Sequence, residues 1–312
     1  MTAQASLPPI PAPSAARQAR RGRPPGRAAP APRAAYWMLA PALGLFAFFH
    51  TLPVLAGAFF SFTDWAGYGE FEFIGIDNYV NLFRDSRVLH AYSFTFLFAA
   101  TATAATNVIS LAVALALNSK IPFRNFFRGV MFVPYVLAIL VVGYIFQFIF
   151  ANSLPRILSA VPVLRDNLLA NADWAWLGIV TLAVWQACAF ATIIYLAGLQ
   201  TVEPDVYEAA ALDGTGPWQR FRHITFPLIS PFFTINMVLS LKGFLQVFDP
   251  VVALTGGGPG TATESIAFLI YRSGFQSGEY AYQTANAVVL VFVITALSLI
   301  QLRFLNRREA DL

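Results

Sequence analysis

The sequence predicts an all-α integral membrane protein with six transmembrane helices and a pair of short helices between the fourth and fifth. Three observations carry this reading. Of the 312 residues, 57% are hydrophobic and only 12% are charged. That is about half the charge of an ordinary soluble domain, too little to clothe a core in water. Apolar runs of about 20 residues recur along the chain, each long enough to cross a hydrocarbon layer of about 30 Å. The runs are twice the length of barrel strands and do not alternate, so a β-barrel is excluded.

The elements follow in order. Residues 1–35, with PPIPAPSAARQARRGRPPGRAAPAPR, are rich in Pro, Ala and Arg and poor in bulky apolar side chains. Such a composition predicts disorder. Its charge fits a role in topology and contact with anionic lipid better than binding of nucleic acid. The apolar region, 36–303, divides into spans at 36–60, 91–118, 126–150, 175–198, 226–247 and 282–303, and a tail of 304–312 remains. Reading the first run as a signal peptide, cleaved near Ala56-Gly57-Ala58, is disfavoured because the run exceeds the usual 7–15 residues. In the second span, TATAATN (101–107) offers small residues for close helix packing. The single cysteine, Cys188, lies in an apolar run; alone it forms neither an internal disulfide nor a metal site, and packing is its expected role.

Basic residues orient the spans. With a cytoplasmic N-terminus, fourteen of the 20 Lys and Arg fall on the inner side, including six in the leader, then Lys120, Arg124 and Arg128, then Arg220 and Arg222. The outer loops hold five, namely Arg84, Arg87, Arg156, Arg165 and Arg272, and Lys242 lies within the fifth span. Excess basic charge inside places both termini in the cytoplasm.

The loop between the fourth and fifth spans reads YEAAALDGTGPWQRFRHITFPLISP (207–231). Pro204 suits a first helical turn, with Asp205 and Glu208 near the positive end of the helix. Gly214 ends this Ala-rich helix, because glycine accepts the left-handed conformation found there. Pro217 opens a second short helix, in which Trp218, Phe221 and Ile224 form an apolar stripe with Arg220 and Arg222 turned elsewhere. Pro227 and Pro231 mark the start of the fifth span. Small side chains at Ala209, Ala210 and Ala211 are expected to be exposed, which fits either a hairpin on the membrane surface or a knob for a cytoplasmic partner.

This loop resembles the EAA loop of ABC-type importer permeases at Glu208, Ala209, Ala210, Asp213, Gly214, Phe221, Ile224, Pro227 and Pro231. Thr215 departs from the alanine that is frequent there. FIGIDNYVNLFRD (73–85) is similar to the family's Phe-x-Gly-x-x-Asn-Tyr segment, and FLQVFDPVVALTGGGPGTATE (244–264) to the Phe-Asp … Leu-Thr-x-Gly-Gly-Pro stretch of sugar-importer permeases. The likeness covers about 36–303 and favours the maltose F-like subunit type, since NRREADL replaces the tail of the G-like partner.

The resemblance implies a bacterial-type inner membrane protein and no cofactor. It implies a second permease subunit, ATP-hydrolysing subunits, an extracytoplasmic solute-binding protein and a sugar-like solute. It makes the 205–215 helix a cytoplasmic coupling helix, with Glu208 pairing a basic group of the ATPase, Ala209 and Ala210 allowing close fit, and Gly214 setting the angle between the short helices. The chain lacks an ATPase motif of its own: neither Lys120 nor Lys242 stands in the Gly-Lys-Ser/Thr of a P-loop. The run Gly256-Gly257-Gly258-Pro259-Gly260 therefore reads as an outer turn or a binding-protein contact. An intramembrane enzyme is the first alternative, but His50, His90 and His223 are scattered near span ends. A secondary transporter is the second, with Asp249 its one candidate for ion coupling. Polar groups at span depth, Lys242, Gln246, Gln147 and Gln186, are the candidates for a substrate path.

Overall fold

The computed structural model describes the backbone of residues 33–310 except 120 and 159, and side chains within 39–305. Most of the leader, Lys120 and the last two residues thus lie outside the described residues. Residues up to Leu55 form one compact unit and those from Ala56 onward another. Among the described residues five helices are long and apolar enough to span a membrane, or six when one sharply bent pair is counted as a single span. No strand occurs among the described residues beyond one isolated bridge, Thr63 with Phe73.

The first span, α1 (Leu39–Phe60), keeps every side chain from Leu39 to Leu55 exposed. An all-round apolar helix of this kind suits lipid and not water. After it, α2 (Asp77–Leu82) is a short turn of helix outside the spans. Asn78 fixes it by donating to Ser61 O at 2.9 Å and Thr63 O at 2.8 Å, and Tyr79 Oη meets Ser61 Oγ at 2.6 Å. These bonds give the Asn-Tyr pair of the FIGIDNY segment a physical purpose.

The second span, α3 (Ser86–Asn118), has 33 residues, or about 50 Å. Its Asp85 cap accepts from the amides of Arg87 and Val88. Ala99, Ala102, Thr103, Thr106 and Asn107 are buried, and the helix packs most extensively on α6 (Ala175–Gln200). The small residues of TATAATN therefore do what the sequence predicts.

The third span differs from expectation. A helix α4 (Arg124–Val136) ends at extended Leu137 and Ala138, and the span proper is α5 (Ile139–Ile157). The predicted 126–150 helix is thus two helices. Pro134 removes an amide near the break, and Leu137, with ψ of 137°, carries the chain out of helical geometry.

The fifth span is also broken. Beyond α7 (Pro204–Leu212), helix α8 (Pro217–Leu228) meets α9 (Ser230–Leu245) at an angle of 71°. Ile229, with no exposed surface, is the corner. Pro227 and Pro231 bracket it, so neither helix can continue smoothly into the other. The straight span of α9 is 16 residues, about 24 Å. Two short helices, α10 (Asp249–Leu254) and α11 (Ile266–Tyr271), follow. The last helix, α12 (Tyr280–Ala310), runs on through most of the predicted 304–312 tail.

One ion pair ties the loop segments at the α2 end together. Arg87 donates through Nε and a terminal nitrogen to the two carboxylate oxygens of Glu264, both at 2.8 Å. The Glu264 side chain is 1% exposed and that of Arg87 40%. Nearby, the glycine run turns back on itself: Gly257 has φ of +86°, and a Cβ there would lie 2.7 Å from Phe268.

Removing Arg87 leaves Glu264 buried and unpaired. Arg87→Met should cost about 2 kcal/mol, below the usual figure for a buried pair because water already reaches the guanidinium. Arg87→Lys should recover part of this. Thermal midpoints, read by dye labelling of the lone Cys188 as the fold opens, test the order Arg, Lys, Met.

Candidate functional site

The hairpin between α6 and α9 is built as the sequence proposes, with two exceptions. Pro204 starts α7, and Asp213 follows its last residue with Gly214 at φ of +75°. No atom lies within 4 Å of a Cβ added to Gly214, so the constraint is backbone conformation and not space. Glu208 and Ala209 are exposed, but Ala210 is 5% exposed and faces the protein. The expected face of three exposed alanines is therefore narrower, because Ala210 O turns inward to accept from Thr215.

Thr215 and Arg220 make the turn rigid. Thr215 Oγ1 and its amide donate to Ala210 O at 2.6 and 3.1 Å. Arg220 Nε and a terminal nitrogen donate to Thr215 O at 3.3 and 3.2 Å. Thr215, a departure from the resembling motif, thus supplies a bond alanine cannot. Arg220 is a positioning residue that helical spacing alone does not disclose. The predicted stripe is only partly formed, since Phe221–Thr225 adopts a π-helical turn that shifts the register. Trp218 stands 68% exposed and Leu212 90% exposed at the tip, while Tyr207 Oη reaches Thr225 Oγ1 at 3.1 Å beneath it. Large apolar side chains this bare beside Asp213 and Glu208 form a surface with two characters.

A cavity of about 570 Å³ lies among α4, α5, α6 and α9. Its polar wall includes Gln186, Asn236, Ser240, Gln246 and Asp249, and its aromatic wall Tyr135, Phe190 and Phe248. Of the four polar groups predicted from sequence, the structure brings Gln186 and Gln246 together here. Gln147 lies elsewhere, on a second cavity of about 640 Å³ with Asn152, Asn167 and Thr255. Lys242 is exposed and lines neither.

Two of these amides serve the backbone. Gln186 Nε2 donates to Pro134 O at 3.3 Å and Leu137 O at 3.0 Å, carbonyls freed where α4 ends. Gln147 Nε2 donates to Leu254 O at 3.2 Å, at the end of α10. Beside the first cavity runs a buried network missed by sequence reasoning. Tyr195 Oη donates to Asn107 Oδ1 at 2.6 Å, and Asn107 Nδ2 donates to Ser240 Oγ at 3.0 Å. Ser240 Oγ donates to Asn236 O at 2.6 Å, and Asn236 Nδ2 to Ala191 O at 3.1 Å. Polar residues spaced along three separate spans carried the signal, but only their facing one another makes it a network.

Comparison with known proteins fits this geometry. Residues 107–311 match the family model of binding-protein-dependent transport system inner membrane components. The multiple sugar-binding transport system permease protein MsmF of Streptococcus mutans is 34% identical over 281 residues, 88% of this chain and 97% of MsmF. The probable starch degradation products transport system permease protein AmyD of Thermoanaerobacterium thermosulfurigenes is 32% identical over 279 residues, covering 89% and 96%. A bacterial ABC transporter involved in import of the acidic polysaccharide alginate shares the fold, with a TM-score of 0.76 at 24% identity over 88% of this chain and 95% of that one. The chain belongs to the family of binding-protein-dependent transport system inner membrane components, as a multi-pass helical permease of the sugar ABC transporter type.

Proposed function

We propose that this chain is one of two permease subunits of an ABC importer and forms half of the path for a neutral sugar-like solute. ATP is hydrolysed on separate subunits, and a binding protein delivers the solute from outside. The carrying observation is the hairpin 204–225, a rigid, bared knob at the end of the bundle. Exposed Glu208 and Ala209, the left-handed Gly214 and the bare Leu212 and Trp218 support docking into a cleft of an ATPase subunit. Asp213 and Phe221 flank the turn and complete the docking surface. Movement of the knob then passes to the spans as a rigid-body shift.

The cavity supports the substrate class. Its walls offer amides, hydroxyls and aromatic rings, the groups that bind sugar hydroxyls and ring faces. Among the described residues lining it there is a carboxylate, Asp249, and no basic side chain. AmyD and MsmF are described as permeases for starch degradation products and for multiple sugars, which agrees with an uncharged solute. The acidic polysaccharide of the alginate transporter would meet Asp249 unfavourably.

The deciding experiment is purification of the tagged full-length protein from its native membrane. Recovery of an ATPase subunit and a second permease, both lost in Glu208→Ala/Gly214→Val, is expected; a chain that purifies without any ATPase under conditions that hold other importers together would sink the proposal. Gly214→Val alone puts a β-branched residue at positive φ, a cost of about 1–2 kcal/mol or more. It should reduce solute uptake roughly tenfold at an unchanged membrane level.

Gln246→Leu should raise the half-saturation concentration for uptake about tenfold through loss of one polar contact. Stimulation of the ATPase by loaded binding protein at saturation should stay intact. Uptake of a neutral glucose oligomer should exceed that of a uronate oligomer, and Asp249→Asn should narrow the gap. For orientation, a periplasm-dependent reporter fused after Asp213 should be silent, and one fused after Gly260 active.

A further inference from the structure

Two cavities lie on the side of α4 that packs toward α3 and α6, away from the sugar-type cavity. The smaller, of about 260 Å³, sits where α4 begins, walled by Leu117, Arg128, Phe132, Ile193, Leu196 and Gln200. The larger, of about 680 Å³, continues along the same three helices between Ile109, Val113, Val133, Val184 and Trp185. Met131, Ala189 and Thr192 line both, so the two adjoin.

Their chemistry differs sharply. In the larger cavity Thr181 Oγ1 donates to Leu177 O at 2.7 Å and Cys188 Sγ to Thr106 O at 3.8 Å. The remaining wall is almost entirely aliphatic and aromatic. In the smaller one Arg128 is undersupplied. One terminal nitrogen reaches Leu117 O at 3.4 Å, and its Nε is buried with no acceptor among the described residues. A guanidinium keeps its charge and presents five donors in a fixed fork. Half-buried beside apolar walls, with Nε shut off from water, it suits an anion with several oxygens.

We propose that the two cavities together bind one anionic phospholipid, its phosphate on Arg128 and an acyl chain in the groove between α3, α4 and α6. A lipid satisfies both demands in one molecule: charge at the span end and alkyl surface along the spans. Basic pockets between transmembrane helices recognise lipid headgroups in this way. Exposed Arg124, one turn before Arg128, adds positive charge at the same end. An apolar helix of another subunit would fill the groove but leave Arg128 Nε without an acceptor. Phe126 and Val133 of α4 are 67% and 50% exposed, as a helix bordering lipid requires.

The test is native mass spectrometry of the full-length protein, with whatever subunits accompany it, exchanged into phosphatidylglycerol or phosphatidylethanolamine of identical chains. One phosphatidylglycerol per chain should survive, and phosphatidylethanolamine should be lost. Arg128→Gln should lower retention roughly fivefold, the factor for one basic group facing anionic lipid, and Arg128→Lys should restore most of it. Ala189→Leu, which narrows the groove without touching the charge, should also lower retention. Inorganic phosphate at millimolar levels should not displace the lipid. Equal retention of both lipids by the unaltered protein, or full retention by Arg128→Gln, overturns the proposal. Displacement by inorganic phosphate would reassign Arg128 to a free anion. A disulfide or cross-link from Val130→Cys to another chain in native membranes would hand the groove to a protein partner.

Discussion

The constraint on which the rest of this structure depends is the absence of water in the hydrocarbon layer. Every backbone group freed by a helix break at that depth must find a partner inside the protein. The chain breaks its helices near 137, at 229 and near 247, and at the first and last of these side chains from distant segments answer the freed carbonyls. Gln186 reaches across from α6 to Pro134 O and Leu137 O, and Ser265 Oγ donates to Val247 O at 2.7 Å. Gln147 does the same for Leu254 O at the end of α10. The cavity among α4, α5, α6 and α9 exists because of these breaks. Of the three groups that repair the backbone, Gln186 also lines the opening.

That double duty explains which parts were legible in the sequence. Hydropathy over 20 residues reports how long a segment stays apolar, and α1, α3, α6 and α12 follow from it. The Pro204, Gly214 and Pro217 punctuation of the hairpin was equally plain, because each residue's backbone preference acts locally. The break after α4 was not plain. Pro134 within an apolar run permits a kinked helix or a terminated one, and the choice rests on Gln186, 52 residues away. The same distance problem misassigned the polar groups. Gln147, Gln186 and Lys242 are alike in sequence, as polar residues amid apolar ones. In the fold, the first two have backbone duties, only Gln186 of the three borders the first cavity, and Lys242 points to neither opening. The burial of Ala210 was hidden for a related reason: Thr215 holds its carbonyl and Arg220 holds Thr215, through a turn whose geometry no helical period describes.

The fold joins hairpin and cavity through α6 and α9. Tyr195 belongs to two structures at once. Its hydroxyl anchors the network with Asn107, whose amide reaches Ser240 on α9 beside the cavity. Its ring is fully buried in a second core with Leu196, Leu199, Val202 and Ile229, against which Tyr207 of the hairpin packs. Ile229 is also the corner of the 71° bend. A displacement of the hairpin therefore cannot be absorbed locally. It must either tear a close-packed core, which resists deformation, or carry the last turns of α6 and the start of α9 with it.

Carrying them has a definite consequence for the opening. Asn236 and Ser240 sit two and three turns beyond the corner and line the cavity, while Asn236 is bonded back to Ala191 on α6. Asn236 thus ties α9 to α6 at this level. The opposite wall, from α4 and α5, meets α6 through Gln186 and through two ring pairs, Tyr135 on Phe190 and Phe146 against Trp185. A hydrogen bond from an amide to two carbonyls can shift by an ångström and reform, whereas an interdigitated core cannot. Under the proposed transport role, any change in the opening has to pass through this mixed seam of ring contacts and Gln186 hydrogen bonds, where the healed break of the backbone lies.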